Sequence, residues 1–350
     1  MGTTPGTNPN SDTARGMGIL ATGTYVPEGR MTSAQLATAT GIPEAIVREK
    51  LGVHCKPMPG PDDHPCAMGA RAARQALAKA DVDPLEIDVI ISISEEYKEH
   101  PLMVSGIKIQ QLVGARNAWA VDVAQRCCTT ISALKLAKGL MMADASVKTI
   151  LLAGGYRNGD LIDYANPRVS FMYSLAAAGG AILLRRNMDH NLVKHAHLIS
   201  DGDFADDVHV HAGGTVAPVA AEHLSTGAMM LDVTDVQAMK ARLATRSHPN
   251  FLKVIRGAAT GSGFSGLDYL GLLHMKRSAH RAVLGEMGLT EAESVYLEDY
   301  GHMGQLDPIF CLEMGERSGR LRSGHRAVLA SAGVSYAWGA VGVQWGHAEG

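Results

Sequence analysis

Two adjacent cysteines lie in Val121–Leu136, VDVAQRCCTTISALKL, after a short apolar run and where a helical pattern begins. Unpaired backbone N–H groups and the positive end of the helix dipole favour an anion at such a point. A thiol at Cys127 would have its pKa lowered there and act as a nucleophile. Cys128, one residue on, is turned about 100° around the helix, so one thiol of the pair can face a site and the other cannot. Buried, inert thiols are common, so position needs a partner group to mean chemistry. His274 in LDYLGLLHMKR and His302 in LEDYGHMGQLD each follow a strand-like run. Strand ends are where open α/β sheets gather ligands, and an imidazole beside a thiol is a nucleophile–base pair. His209 and His211 form an HxH without a third ligand, which reads as a surface loop and gives no metal site.

The elements around these residues alternate. Met17–Tyr25 reads as a first strand, and Thr32–Leu51 as two helices broken at Gly41-Ile42-Pro43. The proline-rich Cys55–Pro65 reads as a loop, and the alanine-rich Ala67–Ala80 as a helix. Ile87–Ile93 is a continuous apolar run of strand length, the pattern of a strand covered on both faces. A helix near Val104–Leu112, a strand at Ala118–Val123, a helix over Cys127–Ala143 and strands at Lys148–Ala153 and Ala177–Leu184 follow. Residues 194–247 give no clear pattern before a helix near Val236–Leu243. The second half then offers a helix at Ser278–Met287, a strand at Ser294–Leu297, a helix at Ile309–Ser318 and strands at Ala327–Ser331 and Gly339–Val343. This order argues for a mostly parallel sheet between helices, in two α/β halves sharing one core. The halves are assigned as 17–190, carrying the cysteine, and 191–350, carrying the histidines, after a disordered polar tail over 1–16.

Composition narrows the classes. The 350 residues are 46% hydrophobic and 19% charged, enough to bury a large core. A net charge of −3 excludes a generally basic nucleic-acid binder. No run approaches the roughly 18 apolar residues of a membrane span, and residues 1–16 lack a signal-peptide core, so no membrane association is expected. Five cysteines without metal-ligand spacing argue against a disulfide framework and for a reducing cytoplasm.

Taken in order, these segments resemble the thiolase superfamily, most closely β-ketoacyl-acyl-carrier-protein synthase III, from Gly18 to Trp345. GILATGTYVPEGRMTSAQL is similar to the family's opening strand, turn and helix, and REKLGVHCK to its Arg/Lys-Thr-Gly-Ile segment. DVAQRCCTTISAL matches the nucleophile motif and selects Cys127. GLLHMKR stands in place of the family's His-Gln-Ala-Asn motif at His274, and DYGHMGQLDP in place of Gly-Asn-Thr, with His302 where Asn is usual. SAGVSYAWGA resembles the closing glycine-rich turn.

The resemblance implies a five-layered α/β/α/β/α fold of two pseudo-repeated halves, as a homodimer, with no tightly bound cofactor. It implies acyl transfer from a coenzyme A or acyl-carrier-protein thioester to Cys127, then condensation with a malonyl-type thioester that loses carbon dioxide. The backbone N–H groups of Cys127 and Val334 would hold the oxyanion, and His274 and His302 the enolate. Histidine at 302, Gln125 and Arg126 before the nucleophile, Val334 for glycine, and the polar Glu99-His100-Pro101 at the primer gate all depart from the pattern. They point to a specialised fatty-acid or polyketide-type pathway. Lys50, Lys276 and Arg277 are the candidates for coenzyme A or carrier binding. Glu95, in the region where HMG-CoA synthases carry a glutamate base, is an alternative base for a non-decarboxylating acyltransferase. An inactive partner subunit of a ketosynthase heterodimer is the reading from another class.

Overall fold

The computed structural model describes residues 16–347. In chain order its first elements are β1 (Gly16–Tyr25), β2 (Gly29–Thr32), α1 (Ser33–Thr40), α2 (Glu44–Ile46, continued by a widened turn to Leu51), β3 (Cys55–Met58) and α3 (Pro65–Ala80). There follow β4 (Val89–Ser92), α4 (Ser105–Val113), β5 (Trp119–Asp122), α5 (Thr129–Ala143), β6 (Thr149–Tyr156) and β7 (Ala178–Met188). The rest comprises β8 (His190–Ser200), β9 (Val208–Val210), β10 (Leu231–Val233), α6 (Val236–Gly261), β11 (Tyr269–Leu272), α7 (Arg277–Glu286), α8 (Asp307–Arg317), β12 (Arg326–Gly333) and β13 (Ala337–His347).

Nine strands form one sheet in the order β11-β12-β13-β8-β1-β7-β6-β4-β5. The same connectivity runs through it twice. In the first half β4 pairs parallel with β6, β6 antiparallel with β7, and β7 antiparallel with β1. In the second, β11 pairs parallel with β12, β12 antiparallel with β13, and β13 antiparallel with β8. The halves meet where β1 bridges β8 at Gly18 and Leu192. Helix α3 packs on β1, β6 and β7, and α6 on β8, β12 and β13, while α5 and α8 each touch strands of both halves. This gives outer helix, one half of the sheet, central helix pair, the other half and outer helix, the thiolase-like five-layered α/β arrangement.

Small residues let the outer helix come close. A Cβ at Gly179 would lie 2.2 Å from the Met68 carbonyl oxygen, and one at Gly23 2.1 Å from that of Ala72, so the alanine face of α3 rests directly on the strand backbone. Apolar strands covered on both sides complete the core: every residue of β6 is buried.

Several expectations change. Gly16 belongs to β1, whereas residues 1–15 of the expected tail lie outside the described residues. The sheet is mixed rather than mostly parallel. The links from β6 to β7 and from β12 to β13 contain no long crossover helix, so those strands return antiparallel. The expected loop at Cys55–Pro65 begins with β3, which tolerates Pro57 in a two-stranded ribbon with β2. Residues 194–247, left open, contain the end of β8, a small β9–β10 ribbon and the start of α6, which runs through Pro249 to Gly261. Ser294–Leu297 is not a strand. It is an extended segment with Val295 and Leu297 buried, held by the Ser294 hydroxyl on the Leu270 carbonyl at 2.7 Å.

Candidate active site

The thiol sits in a strained turn, not in a helix. Helix α5 starts at Thr129, and Arg126 has a left-handed φ of 49°, rare for a side chain of that size. The turn is locked by its own bonds: Gln125 N–H donates to the Thr129 hydroxyl at 2.7 Å, and that hydroxyl donates to the Arg126 carbonyl at 2.6 Å. The Ser331 hydroxyl of β12 donates to the Cys127 carbonyl at 2.6 Å. The two thiols diverge as a tight turn requires. Cys128 Sγ faces the Ser331 and Ala337 carbonyls at 3.2 and 3.3 Å, and burial pushes its pKa far up, which disfavours the thiolate. Cys127 Sγ faces His302 Nε2 at 3.1 Å.

His302 occupies the matching place in the second half. It lies in the turn between the extended segment 294–297 and α8, as Cys127 lies between β5 and α5. Its Nδ1 donates to Asp307 Oδ2 at 2.6 Å, and Asp307, fully buried at the start of α8, also accepts from the N–H groups of His274 at 2.7 Å and Met303 at 2.8 Å. Cys127, His302 and Asp307 therefore form a hydrogen-bonded chain of thiol, imidazole and carboxylate, the order in which a nucleophile, a base and an orienting group are arranged. Burial works against the His302 cation, but Cys127 and Asp307 outweigh it and raise its pKa well above the ordinary value. The Cys127 thiol differs from the expectation of a lowered pKa. Burial raises it, with His302 opposing, because the turn removes the thiol from solvent instead of setting it at the helix terminus.

Glu95 is also brought to this place. Its carboxylate accepts from Asn158 Nδ2 at 2.6 Å and lies 3.6 Å from Arg126, which pairs with Glu96 at 2.5 Å. Burial raises the Glu95 pKa against the pull of Arg126, and its Oε1 has no partner among the described residues. Tyr156, at the end of β6, stands 6.4 Å from His302 between ring centres, with Gly304 against its ring. Its hydroxyl makes no hydrogen bond among the described residues.

His274 is placed differently. Its ring hydrogen-bonds the Gly52 carbonyl through Nε2 at 3.0 Å and stacks on Tyr296 at 5.6 Å. Nε2 therefore carries the ring hydrogen, and Nδ1, without a partner among the described residues, carries a lone pair. Burial lowers its pKa to about 4, so the ring is neutral with its one donor committed. It makes no hydrogen bond to Cys127.

The closing turn reaches Cys127 through Gly333, where a Cβ would lie 2.9 Å from Cys127 N. Neither the Cys127 nor the Val334 N–H is used in a turn, cap or side-chain hydrogen bond among the described residues. Lys50 and Lys276 are exposed and outside every ion pair among those residues, on elements that pack together. Arg277 is committed to Glu291 at 2.8 Å and Glu298 at 2.7 Å, and covers Tyr296. Glu99 accepts from Cys66 N–H at the start of α3. His209, in β9, and His211, just past its end, stack edge-on. The three groups that do converge to metal-ligand spacing, Asp189, His190 and His347, lie on the surface and are largely exposed.

Asp307, Tyr156 and Asn158 escaped the sequence reading. The signal for Asp307 is an acid five residues after His302 and just before Pro308, a helix-start pattern; Tyr156 and Asn158 follow an apolar strand, as the two histidines follow strand-like runs.

Residues 121–202 match the family model for 3-oxoacyl-[acyl-carrier-protein] synthase III, and residues 258–345 the model for its C-terminal part. A 3-oxopimeloyl-[acyl-carrier-protein] synthase of Rhodothermus marinus is 24% identical over 95% of this chain and 94% of its own. A beta-ketoacyl-[acyl-carrier-protein] synthase III of Chlorobium phaeobacteroides is 27% identical over 93% of this chain and 98% of its own. The crystal structure of the synthase III of Aquifex aeolicus superposes with a TM-score of 0.81 at 17% identity, covering 94% of this chain and all of that one. No helix among the described residues is long and apolar enough to cross a membrane. With the doubled connectivity and the cysteine in the turn before the central helix, these matches make the chain a synthase III-like member of the thiolase superfamily, a family of condensing enzymes.

Proposed function

We propose that the protein is an acyltransferase that carries its acyl group on Cys127. His302 takes the thiol proton as Sγ attacks the carbonyl of a coenzyme A or carrier-protein thioester. The oxyanion is held by the N–H groups of Cys127 and Val334, and the departing thiol takes the proton back from His302. A hydroxyl or amine acceptor then gives its proton to His302, attacks the acyl-Cys127 carbonyl, and releases the Cys127 thiolate, which His302 reprotonates. The observation that carries this reading is the 3.1 Å contact from Cys127 to an imidazole oriented by Asp307 at 2.6 Å. It is the arrangement of proton-shuttling acyl transfer. Intact-protein mass after exposure to acyl thioesters tests it: an acyl increment that vanishes in Cys127→Ala is expected, and none with any donor overturns it.

Decarboxylative condensation with a malonyl-type thioester is the second reading, favoured by the names of the relatives. It ranks behind because an enolate calls for two donors beside Cys127, and His274 spends its donor on Gly52. Glu95 is a candidate base if the acceptor is a carbon acid. Release of labelled carbon dioxide from malonyl thioester, against capture of the acyl group by an alcohol or amine, separates the two. The complete chain of reacting groups argues against an inactive partner subunit. Lys50 and Lys276 are proposed for donor phosphates. A homodimer is proposed through β5, the sheet edge, whose Trp119 and Val121 are 51% and 37% exposed.

A further inference from the structure

Lys56, on β3, is fully buried, and no step above uses it. Its ammonium donates to the Tyr164 hydroxyl, the Tyr173 carbonyl and the Leu175 carbonyl, each at 2.7 Å. It also lies 4.9 Å from the centre of the Tyr164 ring. An ammonium has three N–H groups, so all are spent, yet no carboxylate pairs with it among the described residues. Burying a cation without an anion is costly, and a methionine of similar length would fill the space more cheaply.

The two carbonyls show what the lysine holds. They flank Ser174, whose own carbonyl accepts from the His302 N–H at 2.9 Å, and the next N–H, of Ala176, donates to the His302 carbonyl at 2.9 Å. Residues 174–176 are thus the backbone partner of His302 on both sides. Gly301, at φ 62°, lets the chains close: a Cβ there would meet the Ser174 oxygen at 2.5 Å and Lys56 Cβ at 3.2 Å. Without the ammonium, two carbonyls would face each other across an empty centre, and the 173–176 turn would move with His302 attached.

We propose that Lys56 is a positioning residue that fixes the height of the His302 imidazole over Cys127 by pinning the Tyr173–Leu175 turn from behind. This rests on the reading of His302 as the partner of Cys127. The titratable groups around Lys56 are Tyr164, with Asp160 behind it, and Tyr173, whose ring packs on Tyr164 at 5.8 Å. Burial lowers the Lys56 pKa to about 7, so it stays within reach of titration where the thiol is assayed.

The test is alkylation of Cys127 by iodoacetamide across pH, read at that residue by peptide mass, so that no acyl substrate is needed. His302 opposes the rise in the thiol pKa, so a displaced imidazole moves the reactivity profile to higher pH. Lys56→Met is expected to slow alkylation at neutral pH about tenfold while leaving the rate at strongly alkaline pH near wild type. Lys56→Arg, which keeps charge and donors, is expected to return the profile to within about threefold of wild type. A folded Lys56→Met with lower thermal stability but an unmoved profile overturns the proposal. If Lys56→Met does not fold, Tyr164→Phe removes one acceptor and keeps the ring; a loss of about threefold at neutral pH supports the proposal and an unchanged profile overturns it. A wild-type profile that His302→Ala does not move overturns the thiol–imidazole pairing itself. A profile moved by His302→Ala but not by Lys56→Met overturns this inference alone.

Discussion

Asp307 serves three donors with two oxygens, His302 Nδ1 and the His274 and Met303 N–H groups, and so ties the imidazole to two stretches of backbone. Asp307→Asn keeps the shape but offers a donor where His302 already donates, so the ring must flip its tautomer or turn away. Acyl transfer is expected to fall about 10³- to 10⁴-fold with little change in KM, measured by steady-state kinetics. Cys128→Ser is expected to leave acylation near wild type, since that thiol faces two carbonyls across the core. His302→Asn separates the readings: decarboxylation needs only a donor and would survive largely, whereas transfer to an alcohol would fall several-hundredfold or about that. Cys127 and His302 were legible because each follows an apolar run, a local signal. The orientation of His274 was not, because it depends on Gly52, 222 residues away in the chain. The left-handed Arg126 was hidden too, since no arginine announces such a turn.

At the level of elements, two features invite substitution. Gly333→Ala would set a methyl group 2.9 Å from both the Cys127 amide nitrogen and Arg126 Cβ. The turn must retreat, and the variant is expected to lose acylation while unfolding at a cost of about 1–3 kcal/mol, read by denaturant titration. On the sheet edge, Trp119→Lys is expected to convert the proposed dimer to monomers by light scattering, because a charge at an edge strand blocks pairing. Helices α3, α4, α5, α7 and α8 were legible to within a few residues because each shows an apolar face and a start or stop signal. The length of α6 was not. Pro249 reads as a stop, yet α6 packs on β8, β12 and β13, and burial of Phe251, Leu252, Val254 and Ile255 carries it past the proline. Strand direction was also hidden, since it follows from which neighbours pair and not from any single strand.

For the molecule as a whole, buried histidines set the acid limit. Burial lowers the pKa of both His274 and His280 to about 4 in the folded chain, against about 6.5 when unfolded. Between those values the unfolded chain binds more protons at both positions, so stability is lost as pH falls from about 6.5 towards 4. Glu95 and His302 act the other way by at most one proton each, because their folded pKa values are raised, and the two lowered histidines outweigh them between pH 7 and 5. Thermal unfolding is therefore expected at lower temperature at pH 5 than at pH 7. His280→Gln should flatten that slope by up to one proton, about 1.4 kcal/mol per pH unit. The two halves meet at the β1–β8 bridge, and each contributes one member of the thiol–imidazole pair from an equivalent turn. Their 3.1 Å separation thus gauges how the halves are seated on each other. A slip of about 1 Å along the seam would part sulfur from nitrogen while every ladder inside each half stayed intact. Such a molecule goes silent before it melts: gentle heating should extinguish turnover reversibly at temperatures where circular dichroism still reports a native protein.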